Sequence, residues 1–98
     1  MSTYRVLGWR GIPTQVEVTG ADGSLHKRPM ARWFMQEISR ITMREGLAGT
    51  DDYLEEFGWT EPVSRDGDPE AVLDALITEQ AALMGRKPDG HRLDGATD

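Results

Sequence analysis

Two stretches of this chain hold residue types suited to recognition. The first is Trp9-Arg10, at the end of an apolar run and ahead of Gly11-Ile12-Pro13. An arginine fork donates parallel N–H bonds to a carboxylate or phosphate, and an indole beside it supplies a stacking wall. The same pair has a structural reading, in which Trp9 covers a sheet end and Arg10 pairs with a nearby acid such as Glu17. The second stretch is Trp33, Glu37, Arg40 and Arg44, at i, i+4, i+7 and i+11. Helical spacing puts these four on one flank, which suits binding of an anion or an acidic partner. It equally suits a solvated flank held by Glu37–Arg40 and Glu37–Arg44 pairs. The candidate binding residues are therefore Trp9, Arg10, Trp33, Arg40 and Arg44. Met30, Met35 and Met43 lie in the same helical stretch and fit either an adaptable interface or a small core.

Other chemistries lack parts. His26 and His91 are far apart and are the chain's two histidines, and there is no cysteine. No metal site, disulfide or thiol chemistry is expected. Asp51-Asp52 and Glu55-Glu56 have the spacing of a capped, solvated helix, whereas a calcium loop needs alternating oxygens around a glycine turn. Neither histidine has an evident orienting partner, and no Gly-x-Ser-x-Gly, Gly-x-Gly-x-x-Gly or P-loop occurs. The chain is expected to be no enzyme by itself and to carry no cofactor.

These residues need elements to position them. Tyr4-Arg5-Val6-Leu7-Gly8-Trp9 reads as a strand, broken at Gly11-Ile12-Pro13. Thr14, Val16 and Val18 then alternate with Gln15 and Glu17, which predicts a second strand. Asp22-Gly23 marks a turn, and Ser24–Arg28 is a candidate third strand. From Pro29 the period changes: Met30, Phe34, Ile38 and Ile41 form one helical stripe, which Gly46 ends. Thr50 caps a short helix carrying Tyr53, Leu54 and Phe57, and residues 59–67 read as a connector. Asp68-Pro69-Glu70 opens a third helix with Val72, Leu73, Leu76, Ile77 and Leu83 on its apolar stripe. The expected fold is α+β. It has a hairpin over about 3–9 and 13–19, or three strands if 24–28 joins it. Helices over about 30–45, 50–57 and 69–84 follow, packed on one face. Residues 1–85 form the domain, and 86–98 are expected to be a disordered, acidic tail.

Ninety-eight residues make one small domain with a thin core. The net charge of −6 is unevenly spread. Residues 1–46 carry seven Lys/Arg and four Asp/Glu, while residues 47–98 carry four and thirteen. The two halves should attract each other within one fold or between protomers, and a homodimer is geometrically feasible. An acidic domain is a poor ligand for nucleic acid. No signal peptide is visible and no apolar run approaches a membrane span, so a cytoplasmic, non-membrane protein is expected.

The run Trp9-Arg10-Gly11-Ile12-Pro13-Thr14-Gln15-Val16 resembles the opening signature of a small bacterial family labelled virulence factor. That domain type also occurs in conserved virulence factor C proteins. The resemblance continues through Arg32-Trp33-Phe34, Ile38-Ser39-Arg40, Met43-Arg44 and Gly49-Thr50-Asp51-Asp52-Tyr53-Leu54, covering about residues 4–57. The third helix lies beyond it. In the family pattern an acid often follows the arginine and an alanine the proline, where this chain has Gly11 and Thr14. If that acid orients the arginine, Arg10 is freer here. The resemblance implies no catalytic activity. The expected role is an accessory or interaction protein that meets an acidic protein partner through its Trp and Arg groups. A second implication is an anion- or cofactor-binding accessory protein in corrinoid and tetrahydrofolate methyl transfer, although no cobalamin-ligand motif is visible. An enzyme whose site forms across a homodimer is the third reading.

Overall fold

The computed structural model describes residues 1–47 and 49–93, and its first strands follow the side-chain alternation of the sequence. β1 (Ser2–Trp9) and β2 (Ile12–Thr19) pair antiparallel, with Val6 opposite Val16 and Thr3 opposite Thr19. Thr14, Val16 and Val18 are buried, as their shared face predicts. β3 (Leu25–Pro29) completes the expected third strand on the other side of β2, with His26 opposite Val18.

The break between β1 and β2 lies elsewhere than expected. Arg10 (φ 49°) and Gly11 (φ 83°) form a two-residue turn, and Ile12 and Pro13 already belong to β2. Two successive positive φ values match the twist of a hairpin. Pro13 is tolerated because it lies opposite Gly8 where the register shifts by one residue, a bulge that interrupts the ladder where proline cannot donate.

α1 (Arg32–Arg44) starts two residues later than its apolar stripe suggests. The Met30 N–H still donates to the Thr14 carbonyl at 2.9 Å, so the chain leaves the sheet only after Met30. Met30, Phe34 and Ile38 are buried along the stripe. The helix ends as Gly46 predicts: Gly46 (φ 71°) donates to the Met43 carbonyl, and Leu47 donates to that of Thr42. α2 (Asp51–Glu55) is capped by Thr50, whose Oγ accepts from the Tyr53 N–H. It is shorter than expected, because Phe57 leaves it for a strand.

The stretch read as a connector supplies two more strands. β4 (Phe57–Trp59) and β5 (Val63–Arg65) pair antiparallel with β1, placing Trp59 opposite Leu7 and Val63 opposite Tyr4. The result is an α+β domain with a five-stranded antiparallel sheet and three helices. α3 (Pro69–Leu83) buries Val72, Leu73, Leu76, Ile77 and Ala81. It is pinned by Glu70 to His26, Asp74 to Arg28, and Glu79 to Arg65. The smallest extent of the molecule, 15 Å, matches a sheet under one helical layer. On the other sheet face, Arg5 donates to Glu17 at 2.8 Å and lies 4.0 Å over the Trp59 ring.

The expected tail needs two corrections. Residues 86–93 form a closed loop: Arg86 bridges Arg92, Leu93 donates to the Gly85 carbonyl, and buried Gly90 abuts Trp33. Nor is the stretch acidic, since 86–98 contains three Lys/Arg and three Asp. Residues 94–98 lie outside the described residues. Among the described residues no helix is long and apolar enough to cross a membrane.

Candidate functional site

The hairpin turn gathers three elements around one guanidinium. Arg10 Nη1 donates to both oxygens of Glu45 at 2.8 and 3.0 Å, and Nε donates to Glu56 at 3.0 Å. Glu45 closes α1 and Glu56 closes α2, so Arg10 ties both helix ends to the hairpin. These hydrogen bonds, Glu45 first and then Glu56, raise the Arg10 pKa above its ordinary value. The expected partner, Glu17, is taken by Arg5. A non-glycine residue at positive φ is disfavoured by Cβ contact with its own backbone, and the two carboxylates help hold Arg10 there.

Trp9 is no exposed stacking wall. Its side chain is fully buried, and its Nε1 donates to the Tyr53 carbonyl at 2.9 Å. Tyr53 stands 6.1 Å from the Trp9 ring and 5.3 Å from Phe57, edge-on to the latter. The indole thus anchors α2 while its neighbour clamps the same helix from outside. A groove of about 360 Å³ opens beside the turn, lined by Gly8, Arg10, Pro13, Glu56, Thr60 and Gln80. A carboxylate entering it meets an arginine already paired with two acids.

The second group is spread along α1. Trp33 lies near its start, half-buried, edge-on to Phe34 at 5.0 Å and covered by the Arg86 guanidinium at 4.1 Å. Arg40 pairs with Glu37 at 3.4 Å and remains 61% exposed. Arg44, at the far end, is exposed and forms no ion pair among the described residues. Eleven residues of helix separate Trp33 from Arg44, about 16 Å at 1.5 Å per residue. The five predicted residues therefore do not converge on one pocket. Arg10 and Arg44 share one end of α1 through Glu45, Arg40 lies between, and Trp33 is at the other end. Of the methionines, Met30 is buried, while Met35 and Met43 are 40% and 75% exposed. Arg32, absent from the predicted set, is exposed on the same outer side as Arg40 and Arg44. Its spacing of eight and twelve residues from them was the available signal.

His26 has the partners that its sequence neighbourhood did not reveal. Its Nδ1 is 2.9 Å from Glu70 and its Nε2 is 3.1 Å from the Ser24 hydroxyl, beside a cavity of about 690 Å³. The order serine–histidine–acid is that of a nucleophilic relay. Two features set it apart from one. Ser24 also bonds Asp22 through its hydroxyl and its N–H, holding that carboxyl below its ordinary pKa, so the hydroxyl is shared. Glu70 is 60% exposed and also meets Arg28 at 3.6 Å, so it is no buried orienting group. The chain Asp22–Ser24–His26–Glu70 links the β2–β3 turn to the start of α3. Glu70 is 44 residues from His26, beyond the reach of a local motif. No cluster of three or more metal-ligating side chains occurs among the described residues.

A family model described as virulence factor matches residues 7–87. The match runs past the end of α2 and includes β4, β5 and α3, which the motif resemblance alone did not reach. No curated protein and no solved structure matches the chain.

Proposed function

This chain belongs to the virulence factor family, and we propose that it acts as a small non-catalytic accessory protein that binds an acidic partner through the arginines of α1. One observation carries the reading: Arg40 and Arg44 stand exposed on α1, and among the described residues the one ion pair they make is Arg40 with Glu37. Arg5, Arg10, Arg28 and Arg65 are all held in internal ion pairs. Arg44 has no ion pair among the described residues and Arg40 meets Glu37 through one nitrogen at 3.4 Å, so both keep guanidinium donors for an incoming carboxylate. Exposed Met35 and Met43 flank these arginines with adaptable apolar surface. In this reading Trp9 and Arg10 are positioning residues that hold the far end of α1, and Trp33 with Arg86 holds its start. A reducing compartment such as the cytoplasm suits a chain without cysteine.

Affinity capture with the full chain tests the proposal. Arg40→Ala/Arg44→Ala should lose a reproducible acidic partner while remaining folded by circular dichroism. An unchanged partner set would overturn the reading.

A further inference from the structure

We propose that a second copy of this chain docks on the outer face of α1, with basic α1 of each protomer against acidic α2 of the other. The inference rests on the reading above for the α1 arginines, and it names their acidic partner.

The outer face of α1 is continuous. Arg32, Met35, Ser39, Arg40, Met43 and Arg44 recur at helical spacing and are all exposed. This stripe carries three cations, with Glu37 at its border meeting Arg40, in a chain of net charge −6. Its natural complement is carboxylate-rich and partly apolar.

The rest of the chain shows where such a surface lies. Internal pairing already occupies most acids near the sheet. Glu17 meets Arg5, Glu45 and Glu56 meet Arg10, and Glu70, Asp74 and Glu79 meet His26, Arg28 and Arg65. On α2, Asp51, Asp52 and Glu55 are exposed and have no ion pair among the described residues. Between them Leu54 is 63% exposed, the counterpart of Met43 at 75%. Among the described residues Arg32 and Arg44 on α1 are left without an ion pair, with Arg40 shared with Glu37, and α2 carries a compact unpaired acidic group; each patch has apolar surface at its centre.

Placement completes the argument. Arg10 bonds both Glu45 and Glu56, so the ends of α1 and α2 stand on either side of one guanidinium. The patches are neighbours, yet among the described residues no ion pair joins α1 to α2. Two adjacent complementary patches are what a two-fold contact requires. Each α1 then meets the partner's α2, and one association forms the contact twice.

Sedimentation equilibrium of the full chain at low and high salt tests this. Exposed charges are screened beyond about 10 Å at 0.1 M salt, so a wild-type dimer at low salt should weaken as salt rises. Arg40→Glu/Arg44→Glu and Asp52→Arg/Glu55→Arg should each be monomeric alone, with dissociation constants raised about tenfold or more by like-charge contact. An equimolar mixture of the two should recover the dimer, because both reversed and both native contacts are then complementary. Circular dichroism checks folding, and the milder Arg44→Gln and Glu55→Gln variants should weaken the dimer without charge reversal. A wild type that stays monomeric at low salt overturns the proposal, as does a dimer indifferent to both reversals. A monomer that still captures an acidic protein through Arg40 and Arg44 overturns the dimer while leaving the preceding reading intact. A salt-sensitive dimer that captures nothing supports the self-contact and removes the need for a separate partner.

Discussion

Arg10 and Arg44 sit at the same end of α1 and have opposite fates. Arg10 is held at positive φ, bonded to Glu45 and Glu56, and backed by its own Trp9 ring at 4.7 Å. Arg44, next in sequence to Glu45, is exposed and unpaired among the described residues. The tryptophans divide in a similar way: Trp9 is wholly enclosed, whereas Trp33 is half-covered by the closing loop. Residue type is the same in each comparison. The acids and rings that the fold brings within reach decide which arginine is structural and which is available.

The largest effect should come from emptying the anchored side. Trp9→Ala leaves a core void and an unpaired Tyr53 carbonyl, and should cost about 3–5 kcal/mol in urea denaturation. A loss below about 1 kcal/mol would break the contrast, since Trp9 would then be no anchor.

The half-covered side should respond less. Gly90 has φ 94°, and a Cβ there would stand 3.0 Å from the Trp33 Cβ. Gly90→Ala should cost about 1–2 kcal/mol and expose residues 86–93 to limited proteolysis. Unchanged proteolysis would mean that the loop does not depend on its contact with Trp33.

Arg10 itself separates backbone strain from pairing. Arg10→Ala keeps the positive φ and loses both carboxylates, so it should lower the melting temperature more than Arg10→Gly, which relieves the strain. Equal losses would show that the ion pairs alone matter.

The Arg65–Glu79 pair provides a pH test. Arg65 hydrogen bonds hold the Glu79 pKa below its ordinary 4.5. A depressed carboxylate stabilises the fold above its unfolded pKa, and that contribution is lost as pH falls through the lower folded value. Glu79→Gln should therefore flatten the acid limb of the stability curve below about pH 4.5, by at most about 1 kcal/mol because the pair is solvent-screened. An identical acid limb in the variant would show no linkage through this pair.

The smallest stability effect belongs to the open side. Arg40→Ala/Arg44→Ala should stay within about 0.5 kcal/mol of wild type. A larger loss would assign these arginines to the structure and sharpen the comparison against the proposed function.

Much of the frame was legible locally. The Thr14–Val16–Val18 alternation, the Met30–Phe34–Ile38 stripe, the Gly46 stop and the Thr50 cap each depend on neighbours a few residues apart. β4 and β5 were not legible, because three residues show no useful period and these strands exist only through pairing with β1. The turn was misplaced because Pro13 normally ends a strand, and only the bulge opposite Gly8 admits it. The closing loop was missed because its Asp89-Gly90 pair and few apolar groups resemble solvated chain, while its order comes from contacts of Gly90 and Arg86 with Trp33.

The candidate site divides along the same line. Sequence alone selected Trp9, Arg10, Trp33, Arg40 and Arg44, since residue type and helical spacing are local properties. It also determined the α+β class, through the change of hydrophobic period at Pro29. Tertiary structure alone decided that Arg10 is clamped and Arg44 open. The partners of Arg10 are 35 and 46 residues away, and an ion pair forms wherever folding brings opposite charges together. Distance along the chain carries no record of that meeting.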